Sequence, residues 1–202
     1  ADGVQRLHDG RIVSTGGSAG PVFSLLRGGG HLWIGGTGRV CRRADSAAAG
    51  TESCIAAGPA AWQRVAVNHL ALQDGQLWLG TSAGLVRIVD GQWVAAGLGE
   101  AIDAAPIESL LTDRGGSLWI ATANALYRRL PGGELEREEI DARRRPWVHR
   151  MLEDRDGNLW LGTYTRGLYR IWNGWTRRVS LRDGVRDPLV WSVLRAPDGS
   201  IV

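Results

Sequence analysis

Three ionisable side chains, His69, Glu108 and His149, recur at nearly the same place in successive stretches of the chain. Imidazole and carboxylate groups brought together could pass a proton to and from a substrate, or share a metal ion. Around them stand residues suited to binding. Phe23, Asn68, Glu108, His149 and Trp191 each follow the first apolar residue of a short apolar run, and Trp62, Arg64, Arg145 and Trp147 lie in the loops leading into such runs. Aromatic faces with Arg, Asn and Glu suit a sugar or another polar ring, through stacking and bidentate hydrogen bonds. An ordinary solvent-facing rim is the alternative reading of the same residues. The sequence has no Gly-x-Ser-x-Gly elbow, phosphate loop or cluster of zinc ligands, so no cofactor and no metal are expected.

Whether these groups meet depends on the elements that carry them, and those elements are periodic. Leu-Trp followed by an aliphatic and a small residue occurs at Leu32-Trp33-Ile34-Gly35, Leu77-Trp78-Leu79-Gly80, Leu118-Trp119-Ile120-Ala121 and Leu159-Trp160-Leu161-Gly162. The Trp-to-Trp steps are 45, 41 and 41 residues, and a fifth copy at 198–202 has Val202 in place of Trp. Each period contains four short segments. The first is an apolar run, at 22–26, 67–71, 107–111, 148–152 and 190–194; an Asp- and Gly-rich turn then leads to the Leu-Trp segment. A third segment carries an aliphatic residue with Arg two places on, as in Leu85 with Arg87 or Leu168 with Arg170, and a fourth follows a second Gly turn.

Gly or Pro interrupts the chain every ten residues or so, and no helical period lasts three turns, so the pattern is all-β. Four antiparallel strands in about 40 residues, repeated, is the arithmetic of a propeller blade. The expectation is a β-propeller fragment of four-stranded antiparallel blades of about 41–45 residues: four complete Leu-Trp repeats with partial blades at both ends, forming one segment over 1–202 cut from a longer chain. A blade has two apolar faces to bury, so Trp33, Trp78, Trp119 and Trp160 should fill the seams between neighbours.

Composition narrows the function classes. With 44% hydrophobic and 22% charged residues the chain has the means to build a core, and no apolar run approaches the roughly 18 residues of a membrane-spanning helix, so direct membrane insertion by this segment is not expected. The net charge of +3 comes from 24 basic residues, all Arg, spread among 21 acids. That scatter argues against nucleic acid as a partner. Cys41 and Cys54 form an even pair, which permits a disulfide without requiring one.

The pattern Asp-x-x-Gly-x-Leu-Trp-(Ile/Leu)-Gly-Thr, a short gap, then Gly-Leu-x-Arg resembles the two-component regulator propeller repeat, and residues 154–171, DRDGNLWLGTYTRGLYRI, match it almost throughout. Other copies depart from it: Ala121 replaces the Gly, Gly36 intervenes before Thr37, and the turn before Trp33 has no Asp. The resemblance implies the periplasmic sensor region of a membrane-anchored receptor, with a histidine kinase or diguanylate cyclase output elsewhere in the polypeptide. A periplasmic location would suit a Cys41–Cys54 disulfide across the third and fourth strands; two buried thiols are the alternative.

A non-enzymatic, extracytoplasmic ligand-sensing or interaction propeller is therefore the leading expectation. Its partners would be an unknown small molecule or glycan, the downstream signalling domains of the same polypeptide, and a second copy in a homodimer. Function should reside at positions that differ between blades, foremost Asn68, Glu108, Arg145, Trp147, His149 and Trp191. One alternative is an enzyme similar to the streptogramin lyases, with acid and base groups at the central mouth; another is a scaffold. For the enzyme the parity of His69 matters, and two counts disagree: from the start of its strand it opposes Glu108 and His149, and from Trp78 it joins them. The repeated Arg residues are expected to pair across strands or to cap blade edges. The turn Asp residues, Asp113, Asp156 and Asp198 among them, are expected to bond backbone rather than calcium.

Overall fold

Short runs of β-forming residues separated by Gly-centred turns close into antiparallel hairpins. Asp74-Gly75 and Asp90-Gly91 have φ of 51° and 76°, and 49° and 75°, the left-handed pair that matches a two-residue hairpin turn to the twist of its strands. The computed structural model describes residues 4–9, 11–14, 20–45, 52–141, 147–172, 175–185 and 187–202. It contains a hairpin of β1 (Gln5–His8) and β2 (Arg11–Ser14), followed by four four-stranded antiparallel sheets in which strands consecutive in sequence are neighbours. The first sheet comprises β3 (Val22–Gly28), β4 (His31–Gly36), β5 (Arg39–Ala44) and β6 (Ser53–Ala56). The second comprises β7 (Val67–Gln73), β8 (Gln76–Thr81), β9 (Gly84–Val89) and β10 (Gln92–Ala95). The third is β11 (Ile107–Thr112), β12 (Leu118–Thr122), β13 (Leu126–Arg129) and β14 (Leu135–Glu138), and the fourth is β15 (Val148–Glu153), β16 (Leu159–Thr163), β17 (Gly167–Trp172) and β18 (Trp175–Val179). These are the blades of a β-propeller fragment.

The chain divides into two compact units, Ala1–Ala104 and Ala105–Val202. In the first, β3 lies against β7, and Val40, Val67, Leu77, Leu79, Val86 and Trp93 form a buried seam on which Trp33 packs. Gly35 allows this approach: a Cβ there would stand 2.8 Å from the Val67 carbonyl oxygen, and the Ser24 hydroxyl donates to that same oxygen at 2.7 Å. Cys41 and Cys54 face each other across β5 and β6 and are joined by a disulfide. One helical turn, α1 (Glu100–Asp103), follows β10; the Asp103 carboxylate accepts the Gly97 and Leu98 N–H groups, and Ile102 is buried.

In the second unit β11 lies against β15, and Trp119, Leu126, Val148, Leu159, Leu161 and Tyr169 form the corresponding seam. The apolar run 190–194, expected as a fifth first strand, forms no ladder strand. Its ends are nevertheless held: the Val190 N–H donates to the Thr163 carbonyl at 3.0 Å, and Leu194 and Val202 exchange bonds of 2.8 and 2.9 Å.

Two features recur in every four-stranded sheet. The third-strand Arg stands directly opposite the Leu-Trp tryptophan, in the pairs Trp33↔Arg42, Trp78↔Arg87, Trp119↔Arg128 and Trp160↔Arg170. The Arg128 and Arg170 guanidinium groups lie 5.2 and 5.7 Å from the indole centroids of Trp119 and Trp160, so these Arg residues act as cross-strand cation–π partners. The second feature is a break in register at the second residue of each first strand: Val22/Ser24, Val67/His69, Ile107/Ser109 and Val148/Arg150.

Candidate ligand-binding site

A bulge places two residues against one on the neighbouring strand and frees the extra side chain from strict alternation. The freed residues are Phe23, Asn68, Glu108 and His149, the same positions that differ between repeats. This resolves the parity of His69. It pairs with Gly80 as Ser109 pairs with Ala121 and Arg150 with Gly162, so it stands one residue past the bulge, and Asn68 occupies the place that Glu108 and His149 hold in their own strands.

In the second unit the freed positions of adjacent strands meet. Glu108 Oε2 lies 3.6 Å from His149 Nδ1, and both side chains are about four-fifths covered, at 20% and 21% exposure. Burial, together with the Arg150 guanidinium, holds the His149 imidazole below the usual histidine range; Glu108 pulls the other way and is outweighed. Arg150 donates to the His149 carbonyl at 2.7 Å.

Aromatic rings complete the corner. Trp147 stacks on Tyr164 with centroids 5.1 Å apart and planes 30° apart. Trp191 meets Tyr164 at 5.7 Å and His149 at 6.0 Å, both edge to face, and His149 meets Tyr164 at 6.4 Å in the same manner. Backbone bonds fix these positions: the Tyr164 N–H donates to the Trp147 carbonyl at 3.0 Å, and Val190, next to Trp191, is tied to Thr163. Trp147 is 39% and Trp191 60% exposed, whereas Trp78 and Trp119 of the Leu-Trp motif are at most 5% exposed. Large rings held open to solvent by ordered backbone make a surface able to receive a flat or apolar ligand face.

Of the residues singled out in the sequence, Glu108, Trp147, His149 and Trp191 thus come together. Asn68 belongs to the first unit, half-buried on β7, and Arg145 lies outside the described residues. Tyr164 was missed. It sits in the short gap between Gly-Thr and Gly-Leu of the repeat, where the other copies carry small or polar residues, and that departure was its only signal.

The turn aspartates do bond backbone, with one correction and one addition. Asp113 accepts the Ser117 N–H, and Asp198 accepts that of Ser200. In the fourth repeat the accepting residue is Asp154, not Asp156, because Asp154 opens the turn and takes the N–H groups of both Asp156 and Asn158. The addition is a bond to the motif tryptophan: Asp113 and Asp154 accept the indole N–H of Trp119 and Trp160 at 2.8 and 2.7 Å.

Comparison with known proteins agrees with this architecture. The two component regulator propeller family model matches residues 145–165, the stretch that contains Trp147, His149 and Tyr164, so the repeat resemblance holds there. A solved structure described as the extracellular domain of a hybrid two-component system from Bacteroides thetaiotaomicron superposes with a TM-score of 0.67 at 18% identity, over 89% of this chain and 25% of that one. A second such domain from the same organism gives 0.63 at 14% identity, over 98% and 27%. A catalytically inactive virginiamycin B lyase from Staphylococcus aureus, solved with quinupristin, gives 0.63 at 15% identity, over 84% and 59%. The chain spans about a quarter of the length of the two-component domains. At these identities the likeness is one of fold, a β-propeller. No curated protein matches the chain.

Proposed function

We propose that this chain is part of a non-enzymatic, extracytoplasmic sensing propeller of a two-component or cyclic-di-GMP signalling receptor, and that the corner of Glu108, Trp147, His149, Tyr164 and Trp191 binds its small-molecule or glycan ligand. The observation that carries this reading is the convergence, on bulged strands and their loops, of repeat-specific side chains with two exposed indoles. Support for the receptor context comes from the fold neighbours described as extracellular domains of two-component systems. The Cys41–Cys54 bond suits an oxidising compartment such as the periplasm. Binding would bias the placement of blades or of protomers in a homodimer, and the downstream domains of the polypeptide would read that change.

Fluorescence titration of the chain with a panel of neutral oligosaccharides tests the binding reading. A saturable change that disappears in Trp191→Ala is expected; no saturable change with any member would overturn it.

A second reading is favoured by one geometric fact and one likeness. The Glu108–His149 contact is an acid–base pair, and a streptogramin-type lyase shares the fold. Incubation with quinupristin followed by mass spectrometry separates the two. Turnover that is lost in folded Glu108→Ala and His149→Ala would replace sensing by catalysis.

A further inference from the structure

The disulfide of the first unit has a carboxylate beside it. Cys41 and Cys54 stand opposite each other on β5 and β6, and a carboxylate oxygen of Glu52, which immediately precedes β6, lies within 4.8 Å of both sulfurs. The Glu52 side chain is 7% exposed, and its Oε1 is buried with no hydrogen-bond partner among the described residues. The Arg43 guanidinium stands 3.9 Å from that oxygen, near enough to balance its charge and too far to donate to it. Buried carboxylate oxygens are normally satisfied, so an open one beside two sulfurs has the makings of a metal ligand. Asp45 at the end of β5 pairs with Arg27, and the sequence 46–51 has no Cys, His, Asp or Glu, so the donor set of this hairpin is Cys41, Glu52 and Cys54.

We infer that Cys41, Glu52 and Cys54 form a thiol-gated site for a borderline-soft divalent cation of the zinc class, closed while the disulfide stands and opened by a dithiol reductant. Cys54 is exposed and Cys41 buried, so the reductant's thiolate attacks the Cys54 sulfur and the electron pair of the S–S bond leaves on Cys41. The reductant's second thiol then displaces Cys54 and closes its own disulfide, so the chain gains the two electrons and two protons that the reductant loses. Zn2+ takes both sulfurs as thiolates and releases those protons to water. Two thiolates and the Glu52 carboxylate carry three negative charges, which the ion and Arg43 balance. Three protein ligands with water in the fourth position of a tetrahedron are a donor set that zinc accepts, and sulfur ligands favour it over magnesium or calcium. The site is built from the first unit by itself and does not involve the corner.

Cobalt(II) takes the same sites as zinc and reports thiolate ligation by its charge-transfer absorption. In the 202-residue chain, reduced with a phosphine and kept free of air, Co2+ should give that absorption, saturate at about one ion per chain and be displaced by Zn2+. The oxidised chain should give no such absorption, and Cys41→Ser with Cys54→Ser should abolish it under reducing conditions. Glu52→Gln should weaken zinc at least about tenfold with the thiolate absorption retained. On the unaltered protein, Zn2+ should raise the melting midpoint of the reduced chain and leave that of the oxidised chain unchanged, a readout that does not depend on any variant folding. Absence of the thiolate absorption in the reduced chain overturns the site, whether or not the chain keeps its β signature. Zinc affinity equal in the oxidised and reduced chains, or indifferent to Glu52→Gln, overturns it as well.

Discussion

The indole N–H of Trp160 donates to Asp154 Oδ2 at 2.7 Å, reaching back over the turn to the residue that opens it. Asp154 Oδ1 takes the N–H groups of Asp156 and Asn158, and the Asn158 side-chain amide bonds both carboxylate oxygens. Asn158 Oδ1 in turn accepts from Arg170, whose guanidinium lies over the Trp160 ring. One buried carboxylate thus ties together turn, second strand and third strand. The spacing is that of the repeat itself, and Asp113 with Trp119 reproduces it.

Replacing Asp154 should therefore cost more than a turn residue normally would. Asp154→Ala is expected to destabilise the chain by about 3 kcal/mol, since it leaves buried donors of a charge-assisted network without an acceptor. Urea denaturation of wild type and variant measures it. A loss below about 1 kcal/mol would show that solvent replaces the carboxylate.

The same network sets an acid limit. Burial alone would raise the Asp154 carboxyl, but the bonds from Trp160, Asn158 and Asp156 outweigh it and hold the group below its ordinary value of 3.8. A depressed carboxylate contributes stability in full above the unfolded value and loses it as pH falls towards the folded one. Denaturation midpoints should therefore drop as pH falls below about 4 in the wild type, and Asp154→Asn should lower the plateau and flatten that drop.

Gly162 links scaffold to site. A Cβ there would lie 2.7 Å from Val190 Cγ1 and 3.0 Å from Val193 Cγ2, so Gly162→Ala should cost about 1–3 kcal/mol by overpacking and push Trp191 out of place. The third repeat carries Ala121 at this position, fully buried against the β15 seam that includes Val148, so the demand for glycine is set by the facing strand. Loss of oligosaccharide response in a still-folded Gly162→Ala is the expected result, read by fluorescence and circular dichroism.

The Cys41–Cys54 bond closes a loop with a sequence separation of 13 residues. Reduction, or Cys41→Ser with Cys54→Ser, should lower stability by about 2–4 kcal/mol without altering the β signature. Melting with and without reductant tests this on one sample.

Tryptophan fluorescence of the chain should be flat in pH above about 6.5 and change below it, because protonation of His149 places a positive charge beside Glu108 and against the Trp191 ring. Among the described residues, the ionisable groups facing His149 are Glu108 from β11, Arg150 beside it on β15 and Tyr164 from the loop after β16. His149→Asn should remove the acid limb.

Much of the scaffold was legible because its causes are local and repeated. Leu118, Leu126 and Leu161 are fully or almost fully buried where their repeats place them, and Asp74-Gly75 turns as that dipeptide prefers. The Asp–Trp bond was not legible although its spacing was, since nothing in a motif states which side-chain atom accepts which proton. The run 190–194 has the same apolar pattern as the other first strands yet lacks a ladder, because a strand is made by pairing as well as by pattern.

The amino-acid sequence by itself determined the repeat, the all-β class, the blade length and the positions at which repeats differ, since each follows from periodicity and turn chemistry within some forty residues. Only the tertiary structure decided which of those positions meet. The connection from Ala71 to its partner Trp78 is one residue shorter than that from Leu111 to Trp119 or Leu152 to Trp160, so the pairing sets His69 level with Ser109 and Arg150 and out of register with Glu108 and His149. Tyr164 joins them because backbone bonds across chain-distant segments carry it there, and distances of that kind are a property of the packed sheets rather than of any stretch of residues.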